Sequence, residues 1–165
     1  MSSFNFNILY CSQLIRIALV GIKNNYSYDN KFENDKNNKR RRIMIVDDDH
    51  DIANLFKIFL ECNRYTVDAY TNPIKALNNF RKQRYDLIIL DLKMPNMDGM
   101  TLYNKIKEKD DKVIICLTTA DKSLIQDLQK GIIDIDKIVI YKPILLKDLK
   151  NKIDSLLVND TYLKH

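Results

Sequence analysis

From Arg42 onward, short apolar runs alternate with stretches in which apolar residues recur every three or four positions. No other feature restricts the possible folds as much. RIMIVD, RYTVDAY, DLIILD, KVIICLT and KIVIYK read as strands. DIANLFKIFLE, NPIKALNNFRKQ, DGMTLYNKIKEK, DKSLIQDLQKG and PILLKDLKNKIDSLLV read as helices. Asn72 is placed to cap the second helix, with Pro73 at its first position. Gly131 ends the fourth helix and Pro143 opens the fifth. The inward faces are Ile52, Leu55, Phe56 and Phe59; Ile74, Leu77 and Phe80; Met100, Tyr103 and Ile106; and Leu145, Leu149, Ile153 and Leu156. Strands that are apolar on both faces belong to a parallel sheet covered on both sides. Right-handed crossovers then give an α/β, doubly wound, five-stranded parallel sheet, (βα)5. A closed barrel needs about eight such units, and no G-x-G-x-x-G follows the first strand.

In open parallel sheets ligands bind beyond the carboxyl ends of the strands. Here strand 1 ends in Asp47-Asp48, strand 3 in Asp91, strand 4 in Thr118-Thr119 and strand 5 in Tyr141-Lys142. Carboxylates crowded at buried strand ends repel each other and resist desolvation, so the cluster calls for a compensating charge. Oxygen ligands alone suit a hard cation such as Mg2+. A carboxylate is also a nucleophile toward phosphoryl groups. Lys142 and the cation can neutralise phosphoryl oxygens, and the Thr118 hydroxyl can donate to one.

VDDD (Val46–Asp49), LDLKMPNMDG (Leu90–Gly99), LTT (Leu117–Thr119) and KP (Lys142-Pro143) occur in this order, each at a strand end. In these residues the chain resembles the receiver domain of two-component response regulators, single-domain type, over residues 43–158, about 70% of its length. The resemblance implies a flavodoxin-like receiver fold in which Asp91 accepts a phosphoryl group from a histidine kinase or phosphotransfer protein. It implies Mg2+ held by Asp48 directly, by Asp47 through water, by Asp91 and by the backbone carbonyl of Lys93. Thr118 and Lys142 match the hydroxyl and the lysine that contact the phosphoryl group. Met94-Pro95 and Asp98-Gly99 match the turn shaping the phosphorylation loop.

Three positions depart from the family pattern. Thr118-Thr119-Ala120 offers two hydroxyls, and strand length favours Thr118. The family's aromatic three residues before the lysine is Val139 here; Tyr141, adjacent to Lys142, shares its strand face. GIIDIDKI (Gly131–Ile138) is longer and more apolar than the family's usual turn before strand 5.

Net charge excludes less than it first suggests. Residues 1–42 hold eight Lys/Arg and three acids, and the remainder balances 19 against 19, so the net +5 sits in the front segment. It is no argument for nucleic-acid binding by the rest of the chain. Cys11, Cys62 and Cys116 are far apart, which disfavours a zinc site or disulfide framework and fits a cytoplasmic protein. Ile8–Ile22 is apolar but, at 15 residues with Arg16 inside, short for a membrane span. It reads as a short packing helix or as an over-extended gene start. Lys23–Arg42 reads as a polar, basic linker.

The expectation is therefore an N-terminal extension (1–42), a receiver domain (43–158) and a tail (159–165), with no output domain. The phosphorylated surface, at the helix 4–strand 5 face, would meet a downstream protein target; no nucleic acid or membrane partner is expected. Such a domain catalyses only its own phosphorylation and dephosphorylation, so it is not read as an enzyme. Two alternatives stand beside it. One is a Mg2+-binding module that does not switch. The other is a phosphatase resembling the haloacid-dehalogenase type, with Asp47 as nucleophile and Asp49 as acid/base. A calcium loop is rejected because Ile52 and Ile58 stand where it needs Gly and Glu. Asp49 fits a helix cap, as does Asp98.

Overall fold

Every residue of DLIILD after its first acid is buried, and so are four of the five in RIMIV. These runs are the middle of the sheet. In the computed structural model, which describes residues 40–128 and 135–162, the strands are β1 (Arg42–Val46), β2 (Thr66–Tyr70), β3 (Leu87–Asp91), β4 (Ile114–Thr119) and β5 (Val139–Tyr141). The helices are α1 (His50–Cys62), α2 (Pro73–Asn79), α3 (Gly99–Lys109), α4 (Lys122–Leu128), a single turn α5 (Ile135–Ile138) and α6 (Leu146–Tyr162). All strand pairs are parallel, in the order β2-β1-β3-β4-β5. The doubly wound (βα)5 expectation holds.

Alternation along the strands splits the core into two layers. Met44, Val46, Ile88, Leu90, Ile115, Leu117 and Val139 pack with Ala76, Phe80, Leu102, Ile106 and Ile125. On the other face α1 and α6 pack together and against the sheet. They bury Phe56, Phe59, Leu60, Leu149, Ile153 and Leu157 there. Asp49 caps α1 by accepting from the Asp51 and Ile52 N–H groups at 2.9 and 3.2 Å. Asn72 caps α2 and Asp98 caps α3 in the same way.

Several expected details shift. α2 stops at Asn79, because Phe80 turns to an extended backbone that still carries its ring into the core. Its buried face is Pro73 and Ala76; Ile74, one helical step off that line, is 43% exposed. α6 begins at Leu146, not Pro143, after a cis Lys142-Pro143 bond. Leu145 therefore lies outside the helix and is 70% exposed, and the buried series is Leu149, Ile153 and Leu157 rather than Leu156. α6 also runs past residue 158, to Tyr162. In α3, Leu102 and Ile106 are buried while Met100 and Tyr103 flank them. In α1, Ala53 and Leu60 join Phe56 and Phe59 inside, with Ile52 and Leu55 at the margin. The segment before β5 contains a helical turn, α5, with Ile135 buried. The expected stop at Gly131, the apolar segment 8–22 and nearly all of the linker lie outside the described residues. Among the described residues, no helix is long and apolar enough to cross a membrane.

Candidate functional site

β1 lies between β2 and β3, so the chain leaves it toward one edge and returns on its other side. That reversal opens a crevice beyond the β1 and β3 carboxyl ends. Asp47 follows β1 directly, and its N–H continues the ladder to the Tyr70 carbonyl at 3.2 Å. Asp91 closes β3 and is the register partner of Thr118 on β4. Thr118 in turn pairs with Ile140 on β5, and the Lys142 N–H extends that edge to the Thr119 carbonyl at 2.8 Å. The fold thus brings Asp47, Asp48, Asp91, Thr118 and Lys142 to one end of the sheet.

Carboxylate oxygens of Asp47, Asp48 and Asp91 lie within 4.8 Å of one another. Asp47 and Asp91 are buried and Asp48 is exposed. The Lys142 ammonium sits between the two buried acids, 2.8 Å from Asp47 Oδ2 and 3.1 Å from Asp91 Oδ1. Burial pushes the Asp91 carboxyl above the usual range; Lys142 opposes this, and repulsion from Asp47 and Asp48 adds to it. Burial alone would lower the Lys142 ammonium. Its hydrogen bond to Asp47 and the attraction of both acids outweigh that and raise it. Three carboxylates against one ammonium leave an excess of negative charge, the electrostatic condition for a hard divalent cation. The donor set fits Mg2+.

Of the two threonines, Thr119 is occupied: its Oγ1 accepts from the Asp121 N–H at 3.0 Å. Thr118 Oγ1 is buried and, among the described residues, has no hydrogen-bond partner. A buried hydroxyl without a partner costs stability unless a bound group engages it. Asp49 is held as the α1 cap, which takes the acid/base away from the phosphatase reading. His50 is exposed. Val139 is buried and Tyr141 is exposed, with the Lys122 ammonium 5.5 Å from its ring centre.

Two features were not read from the sequence. Gly99 starts α3 so close to the end of β3 that a Cβ there would stand 2.2 Å from the Asp91 carbonyl oxygen and 2.7 Å from Leu92 Cα. The Lys93 side chain reaches across to Asp121, Nζ to Oδ2 at 3.1 Å. The first needed the loop path, and the second the neighbouring strand, neither of which a motif states.

An open (βα)5 sheet with three carboxylates, a lysine and a hydroxyl at its switch point defines a receiver, and the chain belongs to the response regulator receiver domain family. The family model matches residues 43–154. ResD, a transcriptional regulatory protein of Bacillus subtilis, is 32% identical over 118 residues, 70% of this chain and 48% of ResD. The regulatory protein VanR of Enterococcus faecium is 41% identical over 80 residues, 48% of this chain and 35% of VanR. The chain thus spans about half, or less, of the length of these curated relatives. The response regulator TrrA of Thermotoga maritima, crystallised in complex with Mg(2+)-BeF, superposes with a TM-score of 0.62 at 33% identity, covering 70% of this chain and 98% of that one. A CheY-like receiver domain of Methanospirillum hungatei does so with a TM-score of 0.64 at 27% identity, covering 75% and 98%.

Proposed function

We propose that residues 43–158 form a phosphoacceptor receiver in two-component signalling, flanked by an extension (1–42) and a tail (159–165). A histidine kinase or phosphotransfer protein is the donor. An Asp91 carboxylate oxygen attacks the phosphorus of the donor's phosphohistidine; the P–O bond forms, the P–N bond breaks, and the imidazole leaves with its electron pair and takes up a proton. Asp48, Asp47 through water, Asp91 and the Lys93 carbonyl would hold Mg2+, which supplies positive charge opposite the phosphoryl oxygens. The Lys142 ammonium moves its hydrogen bond from Asp91 to a phosphoryl oxygen while Asp47 keeps it in place. The Thr118 hydroxyl donates to another, gaining the partner it lacks.

The observation that carries this reading is Lys142 bridging Asp47 and Asp91 at the switch point, with Thr118 Oγ1 buried beside them. Phosphorylation biases a two-state equilibrium of the loops after β3 and β4, and the α4–β5 face passes it to a protein target. Tyr141 on β5 and Leu145 just after it are exposed and offer apolar contacts to such a target. The domain catalyses its own phosphorylation and dephosphorylation and turns over no other substrate. Buried Val139, in the family's aromatic position, favours one second reading, a Mg2+-binding module that does not switch.

Intact mass after incubation with acetyl phosphate and Mg2+ tests this. One phosphoryl adduct is expected, absent without Mg2+ and absent in Asp91→Ala. No adduct even with a cognate kinase moves the balance to the non-switching module, and an adduct surviving Asp91→Ala overturns the assignment of Asp91.

A further inference from the structure

We propose that the Lys93 side chain is shared between two anions, Asp121 before phosphorylation and the phosphoryl group on Asp91 afterwards, so that Asp121 sets how tightly the site holds that group. The proposal rests on the phosphoacceptor reading above. Lys93 lies in the loop leaving β3 and Asp121 in the loop leaving β4. Those loops start side by side, because Asp91 and Thr118 are register partners. The ion pair at 3.1 Å ties one loop to the other.

The two partners are held very differently. Asp121 is fixed: its Oδ1 accepts from Ser123 N–H at 3.0 Å and from Ser123 Oγ at 2.6 Å, and its own N–H donates to Thr119 Oγ1. Lys93 has 68% of its side chain exposed and no second partner among the described residues, so it can re-aim without unpacking anything. Lys142 is already engaged with Asp47 and Asp91, and Lys122 lies over the Tyr141 ring. Of Lys93, Lys122 and Lys142, Lys93 is the one in the loop that follows Asp91, and a single exposed pair holds it. An exposed pair is worth little in water. A phosphoryl group brings more negative charge than one carboxylate and three strong acceptor oxygens. The ammonium then leaves Asp121, and the loop after β4 loses its tie to the loop after β3 at the moment the site is filled. Asp121 acts through Lys93 and is a positioning residue.

Beryllofluoride with Mg2+ is the probe, titrated at fixed ionic strength onto the full chain and read by the 19F signal of the bound species. Lys93→Met keeps the backbone carbonyl, and Asp121→Asn keeps the acceptor for Ser123. Asp121→Asn is expected to tighten binding about two- to fivefold, the worth of an exposed pair. Lys93→Met is expected to weaken it about tenfold, the loss of one charged hydrogen bond. In the Lys93→Met background the Asp121→Asn effect vanishes. Parent-like affinity in both single variants, or an Asp121 effect that persists without Lys93, overturns the proposal. No bound signal in the parent, or one that persists in Asp91→Asn, overturns the phosphoacceptor reading and this proposal with it.

Discussion

Lys142 stands between two buried carboxylates and is the cation that makes their burial tolerable. Removing it leaves Asp47 and Asp91 facing each other with no ammonium between them, and breaking a buried pair costs more than the pair itself is worth. Lys142→Met is therefore expected to lower stability by about 2–4 kcal/mol in metal-free buffer, read from the urea midpoint. Part of that loss should return with Mg2+, and part with Asp91→Asn in the same chain, since each removes negative charge from the pocket. A loss insensitive to both would mean Lys142 acts through packing. Asp98 behaves in the opposite sense to Asp91. The Thr101 hydroxyl and then the Thr101 N–H donate to its carboxylate and hold it below the usual range. A depressed carboxyl stabilises the fold fully above its unfolded value, about pH 4, and that contribution is lost as pH falls through the folded value. Asp98→Ala should cost about 1 kcal/mol at neutral pH. The gap between parent and variant should narrow in acid unfolding measurements below about pH 4; a gap constant with pH would contradict the capping role.

At the scale of elements, the turn from β3 into α3 shapes the pocket. The Gly99 N–H donates to the Leu92 carbonyl at 3.0 Å, and Asp98 caps the helix from the preceding position. This folds the first turn of α3 back onto the backbone of Asp91, where both atoms nearest a new Cβ are main chain and cannot swing aside. Gly99→Ala is expected to cost about 3 kcal/mol or more, at the top of the range for overpacking, and to lower the rate of the phosphorylation proposed for Asp91 beyond what the stability loss explains. A parent-like rate and midpoint would show that the loop relaxes without cost. The alternation of strands and helices was legible because four of the five strands are short apolar runs flanked by amphipathic segments; β2, with Thr66 and Asp68 in it, is the exception. The site was legible because strand ends are fixed by where those runs stop, so Asp47, Asp91, Thr118 and Lys142 could be placed before their contacts were known. Helix faces were less legible. Ile74 and Leu145 look like core by residue type, yet Ile74 lies about a quarter of the circumference from Pro73 on α2, and α6 starts three residues later than Pro143, which leaves Leu145 outside the helix. The Lys93–Asp121 pair was not legible at all, since nothing local to either residue specifies a partner on the adjacent strand's loop.

Over the whole molecule, acids gather at the carboxyl end of the sheet, where Asp47, Asp48, Asp49, Asp51, Asp91, Asp98 and Asp121 follow strands or start helices. Three of them are helix caps or hold a loop, and their charge is taken up by backbone N–H groups or by Lys93. Asp47 and Asp91 share the Lys142 ammonium and Asp48 does not touch it, so the folded state gathers an excess of negative charge that the unfolded chain, with Asp91 far along the sequence from the other two, does not concentrate. A divalent cation that binds only the folded chain then stabilises it by mass action. At a Mg2+ concentration about a hundred times its dissociation constant the gain is about 2.7 kcal/mol, a rise in Tm of about 10 °C for a domain of this size. Ionic strength must be matched with NaCl, because screening alone relieves part of the same repulsion. The expected result is a saturable rise with MgCl2 that NaCl does not reproduce and that Asp48→Asn largely abolishes, since Asp48 is the acid of the three that Lys142 does not touch. An equal rise with matched NaCl would reduce the cluster to a general electrostatic strain. An undiminished rise in Asp48→Asn would move the cation away from these strand ends.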